Sequence, residues 1–87
     1  MAKEEKSGTS YAVPAADAML DILEYLADRD SSCGVTEISR ELKISNNLAF
    51  RIMKRLVTRG YAECSDNGLY RLSTGFFSLG MKLYSSF

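Results

Sequence analysis

The chain has 87 residues, 46% of them apolar and 25% charged, with 11 cations balancing 11 anions and no histidine. That is room for one small soluble domain burying about 60–65% of its unfolded surface, and no apolar run approaches the ~18–20 residues of a membrane span. Lack of histidine removes the commonest general acid/base and the usual activator of serine or cysteine. Cys33 and Cys64 have neither CxxC spacing nor further ligands for zinc. The expectation is therefore a protein that is not an enzyme and takes no metal or cofactor.

Residues 1–12 are small, polar and without period, which predicts a flexible tail. The start MAKEEKSGTS has no apolar core and no cleavage pattern of a secretory signal, so a cytoplasmic protein is expected. In a reducing cytosol the two cysteines read as free thiols, buried or half-buried. Pro14 occupies the first-turn position that proline prefers in a helix. Ala16, Met19, Leu20, Ile22, Leu23 and Leu26 then recur at helical spacing, with Asp17, Asp21, Glu24 and Asp28 on the other side. This predicts a scaffold helix over Pro14–Ala27.

Asp30 to Gly34 is a turn signal. Thr36 is a suitable N-cap for a second, shorter helix, about Glu37–Leu42, whose inward residues are Val35, Ile38 and Leu42. Thr36, Ser39 and Arg40 sit in or near its N-terminal half, where hydroxyl and N–H groups can meet a phosphate. Ile44 packs inward near Ala49 and fixes the entry to the next helix.

The third helix runs from the cap Ser45 to Arg59 and closes at Gly60. At about 100° per residue, Ala49, Ile52, Met53 and Leu56 form an apolar stripe, while Asn47, Phe50, Arg51, Lys54 and Thr58 lie opposite. Two helices separated by a very short turn, the second carrying Arg, Lys and Asn outward, read as a helix-turn-helix. The zero net charge conceals a dipole. Residues 1–30 carry a net −4, and residues 40–59 a net +5. A local positive patch attracts a phosphate backbone whatever the total charge.

Tyr61–Cys64 and Leu69–Leu72 read as strands joined by Ser65-Asp66-Asn67-Gly68, and Asn-Gly between such runs is a strong hairpin signal. The predicted fold class is mainly α with a small β-hairpin: a winged helix-turn-helix over 13–73. A C-terminal helix follows over 74–87. Phe76, Leu79, Leu83, Tyr84 and Phe87 share one of its faces with Gly80, and Phe77 and Met81 flank it. That surface reads as a dimer or linker helix, or alternatively as packing against the first helix.

Several outward side chains have two readings. Asn47 can pair bidentately with adenine or act as a second cap. Arg51, one turn later, suits guanine or a phosphate, and each base pair read this way is worth about 1–3 kcal/mol of discrimination. Asn46 joins the same DNA-facing set. Phe50 meets a thymine methyl or folds back over Leu48 or the wing. Lys54 and Arg55 suit phosphates, Arg59 the helix C-terminus, and Arg71 either a phosphate or Glu63 across the hairpin.

In order and spacing, VPAADAMLDILEYLAD, TEISRELKIS, RIMKRLVTRGYAEC and GLYRLSTGFFSLG resemble the N-terminal DNA-binding domain of the IclR family of bacterial transcription regulators. The resemblance covers about Val13 to Phe87. It is carried by Arg51 with its following apolar pair and Leu56, by Arg59-Gly60-Tyr61, and by Tyr70-Arg71-Leu72 leading to Gly75 and Leu79-Gly80. It implies a homodimer, commonly a repressor, on an inverted-repeat operator of double-stranded DNA. It also implies a larger C-terminal domain that senses a small effector and lies outside these 87 residues. The chain departs from the family at Ala18, where a basic residue is common. It also departs at Asn46, Asn47, Leu48 and Phe50, where proline, small hydroxyl residues and histidine are common, so its operator is expected to differ. The alternative to DNA binding is a winged helix that docks an acidic protein partner through its basic face.

Overall fold

The computed structural model describes residues 11–86. The tail expected over 1–12 thus lies, apart from its last two residues, outside the described residues, as does Phe87 among the expected dimer contacts. Proline lacks the amide that a first turn leaves unpaired, and α1 begins on it, spanning Pro14–Ala27. Its inward line is Ala18, Ile22 and Leu26. Ala16 and Leu20, expected inside, face solvent; Leu20 is 55% exposed. The small side chain of Ala18 is buried, so this position offers no phosphate contact.

After α1 the chain makes a bridge that is not visible locally. Cys33 N–H donates to the Tyr70 carbonyl at 2.8 Å, and Tyr70 N–H donates back to the Cys33 carbonyl at 2.8 Å. This pairing holds the backbone extended through Gly34 (φ −86°, ψ 165°), and α2 (Val35–Leu42) starts directly after it. Gly34, not Thr36, is therefore the N-cap, without a side-chain bond; Thr36 is exposed within the first turn.

A three-residue turn leads to α3 (Asn46–Thr58), whose cap is as expected: the Ser45 hydroxyl accepts from Leu48 N–H at 3.0 Å. At its end Tyr61 N–H reaches the Leu56 carbonyl (2.8 Å) and Gly60 N–H the Val57 carbonyl (3.0 Å). These paired bonds close a helix when the residue after the cap is left-handed, and Gly60 has φ +85°. Antiparallel β1 (Ala62–Cys64) and β2 (Tyr70–Leu72) follow, pairing Ala62 with Leu72, Glu63 with Arg71 and Cys64 with Tyr70. Gly68, at φ +81°, closes the tip with its N–H on the Ser65 carbonyl.

The core joins Ile22 and Leu26 of α1, Ile38 of α2, the Ala49, Ile52, Met53 and Leu56 stripe of α3, Ala62, Tyr70 and Cys33. Three helices with a hairpin behind them form a winged helix. Then α4 (Thr74–Ser85) leaves the body without one buried residue. Among the described residues no helix is long and apolar enough to cross a membrane, and no group of three or more His, Cys, Asp or Glu is placed to hold a metal ion. Both cysteines are free, Cys33 buried and Cys64 exposed.

Candidate nucleic-acid interface

The turn between α2 and α3 sets how the two helices are presented. Lys43 takes the left-handed conformation (φ 57°, ψ 45°), unusual for a residue with a Cβ. Its N–H and that of Ile44 both donate to the Ser39 carbonyl, and the Ser39 hydroxyl donates to the Ile44 carbonyl at 2.6 Å. Ser39, expected near a phosphate, thus gives its hydroxyl proton to the turn.

A second tie holds α2 to α1. The Tyr25 hydroxyl donates to Glu37 Oε2 at 2.7 Å, and Arg29 Nη2 lies 3.4 Å from the same oxygen. The Arg29 guanidinium also sits 5.2 Å from the Tyr25 ring centroid, in cation–π range. The bond to Glu37, aided by desolvation, pushes the Tyr25 phenol up to about 12. The same bond, with help from Arg29 and against desolvation, holds the Glu37 carboxyl below its ordinary value. Next to them, burial first and the Glu37 charge second raise the Cys33 thiol, so its reactive thiolate is disfavoured.

With α3 seated on its apolar stripe, the opposite face is exposed: Asn46, Asn47, Phe50, Arg51, Lys54, Arg55 and Thr58. Asn47, Arg51 and Lys54 occupy its centre, at i, i+4 and i+7. Phe50 and Arg55 stand on opposite flanks. On the Arg55 side, Arg51, Lys54 and Arg55 rim a groove of about 650 Å³ against the first turns of α1, walled by Val13, Ala16 and Met19. On the other flank the Lys54 ammonium lies 5.6 Å from the Phe50 ring centroid. Among the described residues no acid forms an ion pair with Arg51, Lys54 or Arg55.

The remaining expected contacts are more committed. Arg40 on α2 lies 3.6 Å from its neighbour Glu41. Arg71 takes the cross-strand option, with its Nε and Nη2 both 3.3 Å from Glu63 Oε1. Exposed pairs of this kind are worth only about 0–1 kcal/mol, so a phosphate can compete for either arginine. The structure therefore brings Asn46, Asn47, Phe50, Arg51, Lys54 and Arg55 together on one surface, with Thr36 and Arg40 exposed on the neighbouring helix.

On α4, Leu79, Leu83 and Tyr84 are 48%, 62% and 72% exposed. Phe76, grouped with them by helical period, is half-buried and meets Tyr61 edge to face at 6.3 Å. Phe77 and Met81 look onto a groove of about 670 Å³ against the end of α1, lined also by Leu26 and Leu72.

Comparison with known proteins fits this geometry. Residues 15–65 match the family model of the IclR helix-turn-helix domain. The chain superimposes on the crystal structure of an IclR family transcriptional regulator from Brucella abortus with a TM-score of 0.79 and 26% identity, covering 98% of this chain and 32% of that one. An IclR transcriptional regulator from Alicyclobacillus acidocaldarius gives 0.76 and 21%, covering 84% and 30%. The Agobacterium tumefaciens repressor BlcR gives 0.77 and 19%, covering 90% and 32%. The chain thus spans about a third of the length of the regulators it resembles. No curated protein matches it in sequence.

Proposed function

The chain belongs to the IclR helix-turn-helix family of DNA-binding transcription regulators, and we propose that it reads double-stranded DNA by laying α3 in the major groove, as one half of a homodimer. The observation that carries this reading is the exposed Asn47, Arg51 and Lys54 on the face of α3 opposite the buried Ala49, Ile52, Met53 and Leu56. Asn and Arg match the base edges of adenine and guanine bidentately, and Lys54 and Arg55 meet phosphates at the groove walls. Asn46 adds a further amide at the leading end of the helix. Thr36 and Arg40 on α2, and Arg71 on the wing once released from Glu63, supply contacts to the flanking backbone. The tip of the wing carries Asp66 and no cation, which favours a backbone role for the hairpin over a minor-groove one.

Dimerisation is assigned to α4. Leu79, Leu83 and Tyr84 are exposed apolar side chains on a helix with no fully buried residue, and a cluster of exposed apolar groups is what an association surface offers. Two copies joined there present two α3 helices to an inverted-repeat operator. Effector sensing, in this reading, belongs to a further C-terminal domain of the whole regulator.

The reading is tested by titrating a duplex pool with the 87-residue chain at several salt concentrations. Arg51, Lys54 and Arg55 on the phosphates predict that log affinity falls linearly and steeply with log salt. Affinity that does not respond to salt would reject it and favour an acidic protein as the partner of this face.

A further inference from the structure

We propose that Phe50 selects a pyrimidine bearing a C5-methyl group, thymine in ordinary DNA, at one position of each half-site. The inference rests on the placement of α3 in the major groove proposed above. Phe50 is 47% exposed, on one flank of a face otherwise made of amide, guanidinium, ammonium and hydroxyl groups. It is absent from the side chains packed against the core, whereas its neighbour Leu48 is among them. The ring therefore stands outside the buried stripe of Ala49, Ile52, Met53 and Leu56 by which α3 is seated.

Its position is defined from its own helix. The Lys54 ammonium, one turn later, sits 5.6 Å from the ring centroid, a cation–π distance. That contact lies over one face of the ring, and about half of the residue's surface stays open to solvent. Phenylalanine neither donates nor accepts a hydrogen bond. Among the base edges of the major groove, donors and acceptors recur at every base pair, and the one apolar group is the C5-methyl of thymine, which 5-methylcytosine also carries. Asn47 and Arg51 supply the polar readout, and Phe50 supplies the apolar one. Lys54, held against the ring, places its charge beside the methylated base, where a phosphate or a guanine acceptor can take it.

The test starts from a duplex selected for tight binding. Each thymine is replaced in turn by deoxyuridine, which removes the methyl and nothing else, and dissociation constants are measured for the wild type and for Phe50→Ala. The expected result is one position per half-site where deoxyuridine weakens the wild type about three- to tenfold, the scale of one buried methyl, with Phe50→Ala binding both duplexes alike there and keeping the wild-type salt dependence. At the same position, 5-methylcytosine should bind the wild type more tightly than cytosine, and Phe50→Ala should lose that preference. Phe50→Leu, which keeps an apolar surface, should retain part of it. A site bound specifically and with normal salt dependence, but indifferent to every deoxyuridine, would overturn the role of Phe50 and leave the DNA reading standing. So would an equal loss of affinity by Phe50→Ala on thymine and deoxyuridine duplexes. Failure to bind any duplex specifically would instead bring down the reading on which the inference rests.

Discussion

Gly75, in the first turn of α4, lies so close to Gly60 that a Cβ on it would overlap the Gly60 carbonyl oxygen. The same oxygen accepts the Ser73 hydroxyl at 2.6 Å, and Ser73 in turn caps α4 by accepting from Gly75 N–H at 3.2 Å. So the exit of α3 and the start of α4 are one joint. Phe76 against Tyr61 is its apolar side.

Gly75→Ala must push backbone against backbone, which a flexible side chain cannot relieve. It should cost about 1–3 kcal/mol, the usual range for overpacking, or swing α4 away from β1. Gly80→Ala is the control on the same helix, because a Cβ there meets nothing within 4 Å. It should stabilise by up to about 1 kcal/mol through helix propensity. Urea unfolding of the two variants checks this; similar behaviour of both would dissociate the joint from Gly75.

Lys43 pays a conformational cost in the helix-turn-helix turn, since a left-handed residue with a Cβ is strained. Lys43→Gly should therefore raise stability by up to about 1 kcal/mol in thermal unfolding. Ser39→Ala, which removes the hydroxyl bond to Ile44 across the same turn, should lower it by about 1 kcal/mol.

The Tyr25–Glu37 bond predicts a pH signature. The Glu37 carboxyl is held below its unfolded value, so its contribution is present at neutral pH and is lost as the pH falls through the folded value. The Tyr25 phenol is raised to about 12, so its contribution is present below pH ~10 and lost as the pH rises through the folded value. Tyr25→Phe should thus be less stable than the wild type near neutrality, with the gap narrowing below pH ~4. Denaturation midpoints across that range, and the Glu37 titration followed by NMR in both proteins, give the answer.

The two faces of α3 predict opposite mutant phenotypes. Arg51→Ala, on the exposed face, should weaken binding to a selected site by about 1–3 kcal/mol without changing the fold. Met53→Asp, at a fully buried position, should leave the chain unfolded, because the carboxylate has no partner there. Circular dichroism and anisotropy together separate the two effects.

Much of this fold is legible from local pattern. The bounds of α1 follow from Pro14 and the apolar spacing, the start of α3 from Ser45, its end from Gly60, and the hairpin from Asn67-Gly68. What was not legible depends on distant partners. Nothing near Thr36 says that Cys33 pairs with Tyr70, yet that bridge moves the start of α2 to Val35 and makes Gly34 the cap. The inward line of α1 turns on Ala18, whose small side chain reads as neutral in sequence and is buried because α1 sits on the other helices there. On the site, helical period was enough to separate Arg51 from Met53. The hairpin register offered Glu63 to Arg71 beside a phosphate, and the structure takes Glu63; period could not show that Ser39 gives its hydroxyl proton to the turn, or that Lys54 sits over Phe50, because those depend on side-chain reach. Period alone likewise put Phe76 with Leu79 and Leu83, whereas the joint at Gly60 turns it toward Tyr61.

The central claim is that α3 reads sequence in the major groove as part of a dimer. In-vitro selection from a random duplex pool, with anisotropy titration of the winner against a scrambled duplex, tests it most directly. The account predicts enrichment of an inverted repeat with half-sites about one helical turn apart, or a multiple of it, and affinity for the winner well above that for the control. No enrichment, with equal weak binding to both duplexes, would contradict it.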